Sequence, residues 1–318
     1  MNKGMIACCI LLTTVVGGLN YTMAKLGLHV ASPFLLLAIR FLGSGLLLMP
    51  FVIRRKHPQS AKQWLQVAGV SLFQTILVMT FIYLSLHTIS ASTSAILSST
   101  NPIWTILFAF LFFRSRYRAV QWAGVVIGFM GVVVTQNFNM QMNEGTIYAL
   151  LAGMFWGFGT LVASRWSRAM DTWVLTAYQM LFAGIVLLLA SITLEQPYLH
   201  LASSSGNSLG LVLAVLIWMV CFSSIFQFLP WFYVLKHYSA SKASTFMFLV
   251  PLFGVLSGAF ILGETIHGYV IAGGLCTGVG IYLVNRPAKR AAADVPLMTD
   301  PSGKMQAKIN GVYGSFRE

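Results

Sequence analysis

"SASTSAILSSTNPIW" occupies residues 90–104, and "SASKASTFMFLVPLF" occupies residues 239–253. Shifted by 149 positions the two align without a gap. Ser90, Ala91 and Ser92 meet Ser239, Ala240 and Ser241, and Pro102 meets Pro251. The register continues, with Gly124 on Gly273 and Gly131 on Gly280. Upstream a shift of 139 pairs Gly18 with Gly157, Ala24 with Ala163, Ala38 with Ala177 and Gly45 with Gly184. The ten-residue difference falls in the connection around Gln196–Ser208, where an insertion costs little. The chain therefore reads as two similar halves.

The solvent of those halves follows from composition. Of 318 residues, 57% are hydrophobic and 8% charged, against about 25% charged in a soluble domain. Runs of about 20 apolar residues span a bilayer as helices. Ten such runs are expected: 4–24, 33–53, 66–86, 93–113, 119–137, 145–164, 172–193, 210–233, 243–262 and 268–285. The first is too long for a signal-peptide core and no A-x-A site follows it, so it is read as a helix. The fold class is thus an all-α integral membrane protein. Its ten transmembrane helices form two five-helix repeats, 1–140 and 141–286. Residues 287–318, polar and mildly basic, read as a disordered cytoplasmic tail.

Five is odd, so the second repeat enters the membrane inverted relative to the first. Inverted repeats are the architecture of secondary transporters, in which two similar halves exchange inward-open and outward-open shapes. Placing the N-terminus in the cytoplasm puts 18 of the 20 bases in inside loops and termini; Lys25 stays outside and Arg40 lies within a helix. That asymmetry supports both termini inside.

The polar run can now be read. Pro102 cannot donate to the carbonyl of Ser98, nor Pro251 to that of Met247. Helices four and nine are expected to be kinked or broken. Freed backbone groups in a membrane need protein or water beside them. The Ser98–Asn101 run, and Ser244 and Thr245, either satisfy a structural kink or face a central aqueous pathway, and the two roles are compatible.

The sequence resembles the EamA-type transporters of the drug/metabolite transporter superfamily. The resemblance rests on "GGLNYTMAK" (17–25), "AIRF" (38–41), the small-residue-then-Pro pattern of helices four and nine, and "ILGE" (261–264). It covers residues 4 to about 285. It implies an inner-membrane carrier with a central cavity between the halves, working by alternating access on amino acids, other metabolites or drugs, often outward. One departure stands out. The family often closes helix four with an acid, as Glu264 closes helix nine, but here the stretch is "FFRSRYR" (112–118).

Arg40 is the outlier among charges. It lies about seven residues into helix two, and a charge facing lipid there costs at least ~2–3 kcal/mol. It should face the interior, either bonding carbonyls at broken helix ends or meeting a substrate carboxylate or other anion. Gln179 is its repeat equivalent. Asn20, Gln74, Tyr83, Ser98, Asn101, Trp156, Tyr178, Gln227 and Trp231 complete the candidate pathway. Trp156 falls opposite Gly17 in the repeat, a pairing that would shape a pocket asymmetrically. None of the seven acids falls in mid-span, which disfavours a cationic drug/proton antiporter. Lys25 is expected to snorkel, and Glu264 to bond a helix end.

No catalytic motif, P-loop, zinc spacing or basic helix appears. The reading is therefore no enzyme, no cofactor, no metal and no nucleic acid. The expected function is export of small polar metabolites, amino-acid-like or other carboxylates; a drug exporter of the same superfamily and an uptake carrier are the alternatives. The partners are a small-molecule substrate and membrane lipids, with coupling to protons or another ion, in a monomer or homodimer. Gly124–Gly128, Gly153–Gly157, Gly254–Gly258 and Gly274–Gly278 have the spacing of close helix contacts, within one chain or, for helices five and ten, across a dimer.

Overall fold

The computed structural model describes residues 3–113, 117–135, 137, 143–167, 170–199, 209–237, 243, 247 and 249–284. The tail 287–318 and Ser244 and Thr245 lie outside the described residues. Helix α1 is Lys3–Gly27 and α2 is Pro33–Val52. Helix α3 runs through Ala61–Val70, a π-helical stretch Ser71–Ile76, and Leu77–Ser85. Helix α4 is in two pieces, Ala91–Ser98 and Asn101–Phe113. Then come α5 (Ala119–Thr135), α6 (Glu144–Trp166) and α7 (Thr172–Leu194). Helix α8 comprises Leu209–Ile217, a π-helical stretch Trp218–Phe226, and Gln227–His237. Helices α9 (Leu249–Leu262) and α10 (Gly268–Val284) complete the order.

Among the described residues seven helical runs are long and apolar enough to cross a membrane; the described parts of α5, α9 and α10 are shorter apolar helices. Large apolar side chains point outward: Phe260 is 85% exposed, and Leu46, Phe51, Leu111, Leu189 and Leu275 are exposed too. The interior instead collects Arg40, Asn20, Gln74, Asn101, Gln179 and more than a dozen Ser and Thr side chains. Outward apolar and inward polar surfaces suit hydrocarbon as the outer solvent.

Helix ends differ from the expected spans where caps decide them. Helix α3 starts at Ala61 rather than 66, because Ser60 and Gln63 form a capping box. Helix α8 continues to His237 rather than 233, with Pro230 inside it. The proline has no N–H to donate to the carbonyl of Phe226, the last residue of the π stretch. Three acids at helix junctions accept from the amides that open a helix. Asp171 accepts from the Trp173 and Val174 amides. Glu195 accepts from the Phe34 and Leu35 amides at the start of α2, and Glu264 from the Ala91 and Ser92 amides at the start of α4. Each carboxylate sits at the positive end of a helix dipole.

Helix four is broken, as its proline requires, but the break differs from a kink around Pro102. The chain leaves helical geometry at Ser99–Thr100, and Pro102 is the second residue of the new helix. A proline costs nothing there, since the first amides of a helix have no partner within it. Hydroxyls close the exposed carbonyls: Ser98 donates to Ser94 at 2.6 Å, Ser99 to Ala95 at 2.6 Å and Thr100 to Leu97 at 2.8 Å. Pro251 likewise stands in the first turn of the described part of α9.

Packing pairs the elements in a regular way. Helix α2 lies along α7, and α5 along α10. Helix α1 packs on α9 and α8, while α6 packs on α4 and α3. The α4 break sits on α6 at Gly153 and Gly157, where a Cβ would meet the Ser98 and Asn101 carbonyls at 2.8 Å.

Candidate functional site

Arg40 organises the interior. Its side chain is fully buried on α2, and every edge of its guanidinium has a partner. Nε donates to Ser224 Oγ at 3.0 Å, and Nη1 to Asn20 Oδ1 at 3.0 Å and Tyr83 OH at 3.2 Å. Nη2 donates to the Ser223 carbonyl. Two weaker contacts complete the set, Nη1 to Met79 Sδ at 3.8 Å and Nη2 to Gln227 Oε1 at 3.5 Å. The guanidinium carbon also lies 5.0 Å from the Phe41 ring centroid. All these partners are neutral. Among the described residues the ion pairs are Lys25–Glu264 and Arg55–Asp171, both near helix ends. The positive charge of Arg40 is solvated by dipoles and has no counter-ion there.

The π segment of α8 makes this possible. A π turn carries an extra residue, so it turns a carbonyl and a hydroxyl out of the regular ladder. The Ser223 carbonyl and Ser224 hydroxyl are the groups so presented to Arg40. Ser44 adds a tie, donating to the Val220 carbonyl at 2.7 Å.

Gln179 on α7 meets the other π segment, here as an acceptor. Thr75 donates to its Oε1 at 2.5 Å and Ser71 to its backbone carbonyl at 2.7 Å. Thr75 and Ser224 are 149 positions apart, and the two π stretches overlap under the same shift. Sequence reasoning singled out Arg40 and Gln179 but missed the π segments and their serines. The shift that paired the prolines also aligns Gln74 and Thr75 with Ser223 and Ser224, a signal that was available.

Beside Arg40 lies a narrow cavity of about 10 Å³, lined by Gln74, Met79, Trp156, Gln227, Trp231 and Met247 among others. Met79 and Gln227 are the two most weakly held partners of Arg40, and both face this space. Gln74 Oε1 and Trp231 Nε1 are buried there without a hydrogen-bond partner among the described residues. Gly17 borders the same region: a Cβ on it would come within 3.3 Å of Gln227 Nε2.

So the structure brings Arg40, Asn20, Gln74, Tyr83, Trp156, Gln227 and Trp231 together. It does not bring the others with them. Ser98 bonds Tyr21 OH at 2.6 Å in the α4 break, and Asn101 is buried in that break with both amide atoms unpartnered among the described residues. Tyr178 is farther out, bonding His57 Nδ1 at 3.0 Å and packing on Trp64.

Two wider cavities lie at opposite helix ends. One, of about 700 Å³, is lined by Arg54, Arg55, Lys56, His57, Asp171 and Lys236 among others. The second, of about 410 Å³, is lined by Lys25, His87, Ser90, Glu264, His267 and Tyr269 among others. At the second mouth Lys25 donates to the Ile89 carbonyl at 3.1 Å and to Glu264 at 3.4 Å. Burial raises the affinity of Glu264 for a proton. Hydrogen bonds from the Ser92 side chain and the Ser92 and Ala91 amides, with the Lys25 charge, outweigh it and hold the carboxyl below its ordinary range.

Comparison with known proteins agrees with this architecture. A solved crystal structure matches with a TM-score of 0.63 at 18% identity, over 87% of this chain and 96% of its own, a likeness of fold. The chain is 27% identical over 301 residues to the "uncharacterized inner membrane transporter YedA" of Escherichia coli K12, covering 91% of this chain and 94% of that one. It is 25% identical over 281 residues to the "probable amino-acid metabolite efflux pump" of Salmonella typhimurium, covering 86% and 92%. The profile of the EamA-like transporter family matches twice, over residues 4–136 and 143–286. With a match in each half of the chain, the protein belongs to the EamA-like transporter family.

Proposed function

We propose that the protein is a secondary transporter that moves small polar metabolites, amino-acid-like or other carboxylates, by alternating access between two inverted five-helix repeats, residues 1–140 and 141–286. It lies in the inner membrane with both termini in the cytoplasm, and the favoured direction is export. The observation that carries the reading is Arg40: a buried cation without a counter-ion among the described residues, whose loosest ligands, Met79 and Gln227, line the central cavity. A carboxylate replacing those two contacts would gain a charge-assisted bidentate bond. The paired packing of α2 on α7 and α5 on α10, and the matched π segments, support the repeat. The cavity holds about one water at this size, so a solute needs the halves to rock apart.

The test is uptake of labelled amino acids and organic acids into proteoliposomes, with and without a pH gradient. Saturable uptake of a carboxylate, lost in Arg40→Gln while the protein stays folded in the membrane, is the expected result. Movement of cationic compounds alone, unaffected by Arg40→Gln, would overturn it.

A further inference from the structure

The wide cavity at one end and the central cavity are joined by a single helix. Helix α8 presents Lys236 to the wide cavity, Trp231 and Gln227 to the central one, and Ser224 and Ser223 to Arg40. Lys236 and Ser224 are twelve residues apart, about 18 Å at 1.5 Å per residue. Charge along this track has one sign. Four bases, Arg54, Arg55, Lys56 and Lys236, line the wide cavity against one acid, Asp171, which is already paired with Arg55 at 3.0 Å. Among the described residues the central cavity has no acidic lining residue, and Arg40 stands beside it.

We infer that the cavity lined by Arg54, Lys56 and Lys236 is an anion-collecting vestibule, and that the solute it passes to Arg40 carries net negative charge rather than being a zwitterion or a cation. This rests on the transport reading above and narrows its substrate class.

A topological bias toward bases needs only that they lie in the loops on one side. It does not require Arg54 and Lys56, from the connection after α2, and Lys236, from the end of α8, to converge on one concave space. Concave low-dielectric walls of one sign focus the field and raise the local concentration of counter-ions. At the centre, magnitudes separate the candidates. A carboxylate meets Arg40 and removes an uncompensated charge. Either ion sheds water at a cost of several kcal/mol; the carboxylate is repaid by a cation, whereas an ammonium finds only a neutral acceptor such as Gln74 Oε1, worth about 1 kcal/mol net. Trp231 Nε1–H and the Ser223 hydroxyl, both unpartnered among the described residues, are donors and suit further oxygens of an anion.

Two measurements test this. In the first, Gln59→Cys, which lines the vestibule and is exposed, is made in a background with Cys8, Cys9, Cys221 and Cys276 replaced by alanine. Its rates with a negatively charged sulfonate methanethiosulfonate and its positively charged trimethylammonium counterpart are compared with those of a free thiol. The expected result is a ~10-fold preference for the anionic reagent at low salt, lost at ~0.5 M salt where the Debye length is a few Å, and lost in Lys56→Gln/Lys236→Gln. Equal rates, or a faster cationic reagent, overturn the vestibule.

In the second, proteoliposomes are offered succinate, glutamate, the near-isosteric glutamine, and choline. Anion uptake at least ~10-fold above zwitterion uptake, reduced in Lys236→Gln by a rise in KM with kcat kept, is the expected outcome; ~10-fold corresponds to about 1.4 kcal/mol. Glutamine or choline moving as well as the anions overturns the inference and leaves the transporter reading standing. If no solute of any charge moves, both fall together.

Discussion

Arg40 on α2 and Gln179 on α7 are each held by a π-helical segment, Arg40 by Ser223 and Ser224 of α8 and Gln179 by Ser71 and Thr75 of α3. The two share a π segment but differ in charge and in the sense of the bonds: Arg40 donates to Ser224 Oγ and the Ser223 carbonyl, whereas Gln179 accepts from Thr75 and, through its backbone carbonyl, from Ser71. One residue is a cation with a partner on every edge. The other is a neutral amide whose Nε2 has no partner among the described residues.

That difference predicts unequal consequences. Gln179→Leu removes one side-chain hydrogen bond, with Thr75, in a well-packed interface. The expected cost is about 1 kcal/mol, seen as a small fall in the melting temperature of detergent-solubilised protein, with uptake kept within about threefold. Arg40→Lys keeps the charge but loses the planar fork that reaches Ser224, Asn20, Tyr83 and Ser223 together, so uptake is expected to fall at least ~10-fold. If Arg40→Lys transported normally while Gln179→Leu did not, the asymmetry would be assigned the wrong way round.

The break in α4 gives the next expectation. In Pro102→Ala the new amide can reach the Ser98 carbonyl, which favours one continuous helix over Ala91–Phe113. The hydroxyls of Ser98, Ser99 and Thr100 already close the local carbonyls, so little stability rides on the proline itself. Folded yield is expected to be unchanged and the uptake rate to fall several-fold. Unchanged rates would mean that the break is architectural only.

How much of this was legible beforehand follows from what each feature rests on. Membrane spans rest on hydrophobic length, which is written residue by residue. Arg40 was legible because a charge inside an apolar run has nowhere to go except inward. The break at Ser99–Thr100 was legible as a break, since Pro102 forbids a regular helix through it. Its character was not, because whether a proline kinks one helix or begins another depends on what packs there, here Gly153 and Gly157 of α6. The π turns were hidden for a similar reason. A single extra residue in a turn leaves the apolar pattern almost intact, and its energy comes from distant partners such as Arg40 and Gln179. Tyr178 looked like a neighbour of Gln179 in the pathway, but adjacent residues on a helix point about 100° apart, and it turns toward His57 and Trp64 instead.

Glu264 carries a pH prediction. Its carboxyl is held below the ordinary range by Ser92, Ala91 and Lys25. A depressed folded-state pKa contributes stability that is present above the unfolded value and is lost as pH falls through the folded one. The contact between α9 and the start of α4 is therefore intact at neutral pH and weakens only under acid, below the usual carboxylate range. Lys25, His87 and His267 line the same cavity. Glu264→Gln should cost about 1 kcal/mol at pH 7 and flatten the acid limb of the melting-temperature profile. An unchanged acid limb in Glu264→Gln would assign that limb to other groups.

In α10 the sequence spacing picks out Gly274 and Gly278, but the contact with α5 runs through Gly280. Gly280 lies against α5, where a Cβ would overlap the backbone nitrogen of Gly128. Gly278, two residues away, has no atom of the described residues within 4 Å of a Cβ built on it. In Gly280→Ala the neighbouring backbone has to move. Overpacking of that kind costs about 1–3 kcal/mol, enough to lower the melting temperature measurably. Gly278→Ala adds helix propensity of up to ~1 kcal/mol and meets nothing, so its melting temperature should hold or rise. If Gly278→Ala were instead the damaging variant and dissociated an oligomer, the outward face of α10 would be an interface between copies, and the close approach at Gly280 would not be the contact that holds α10 in place.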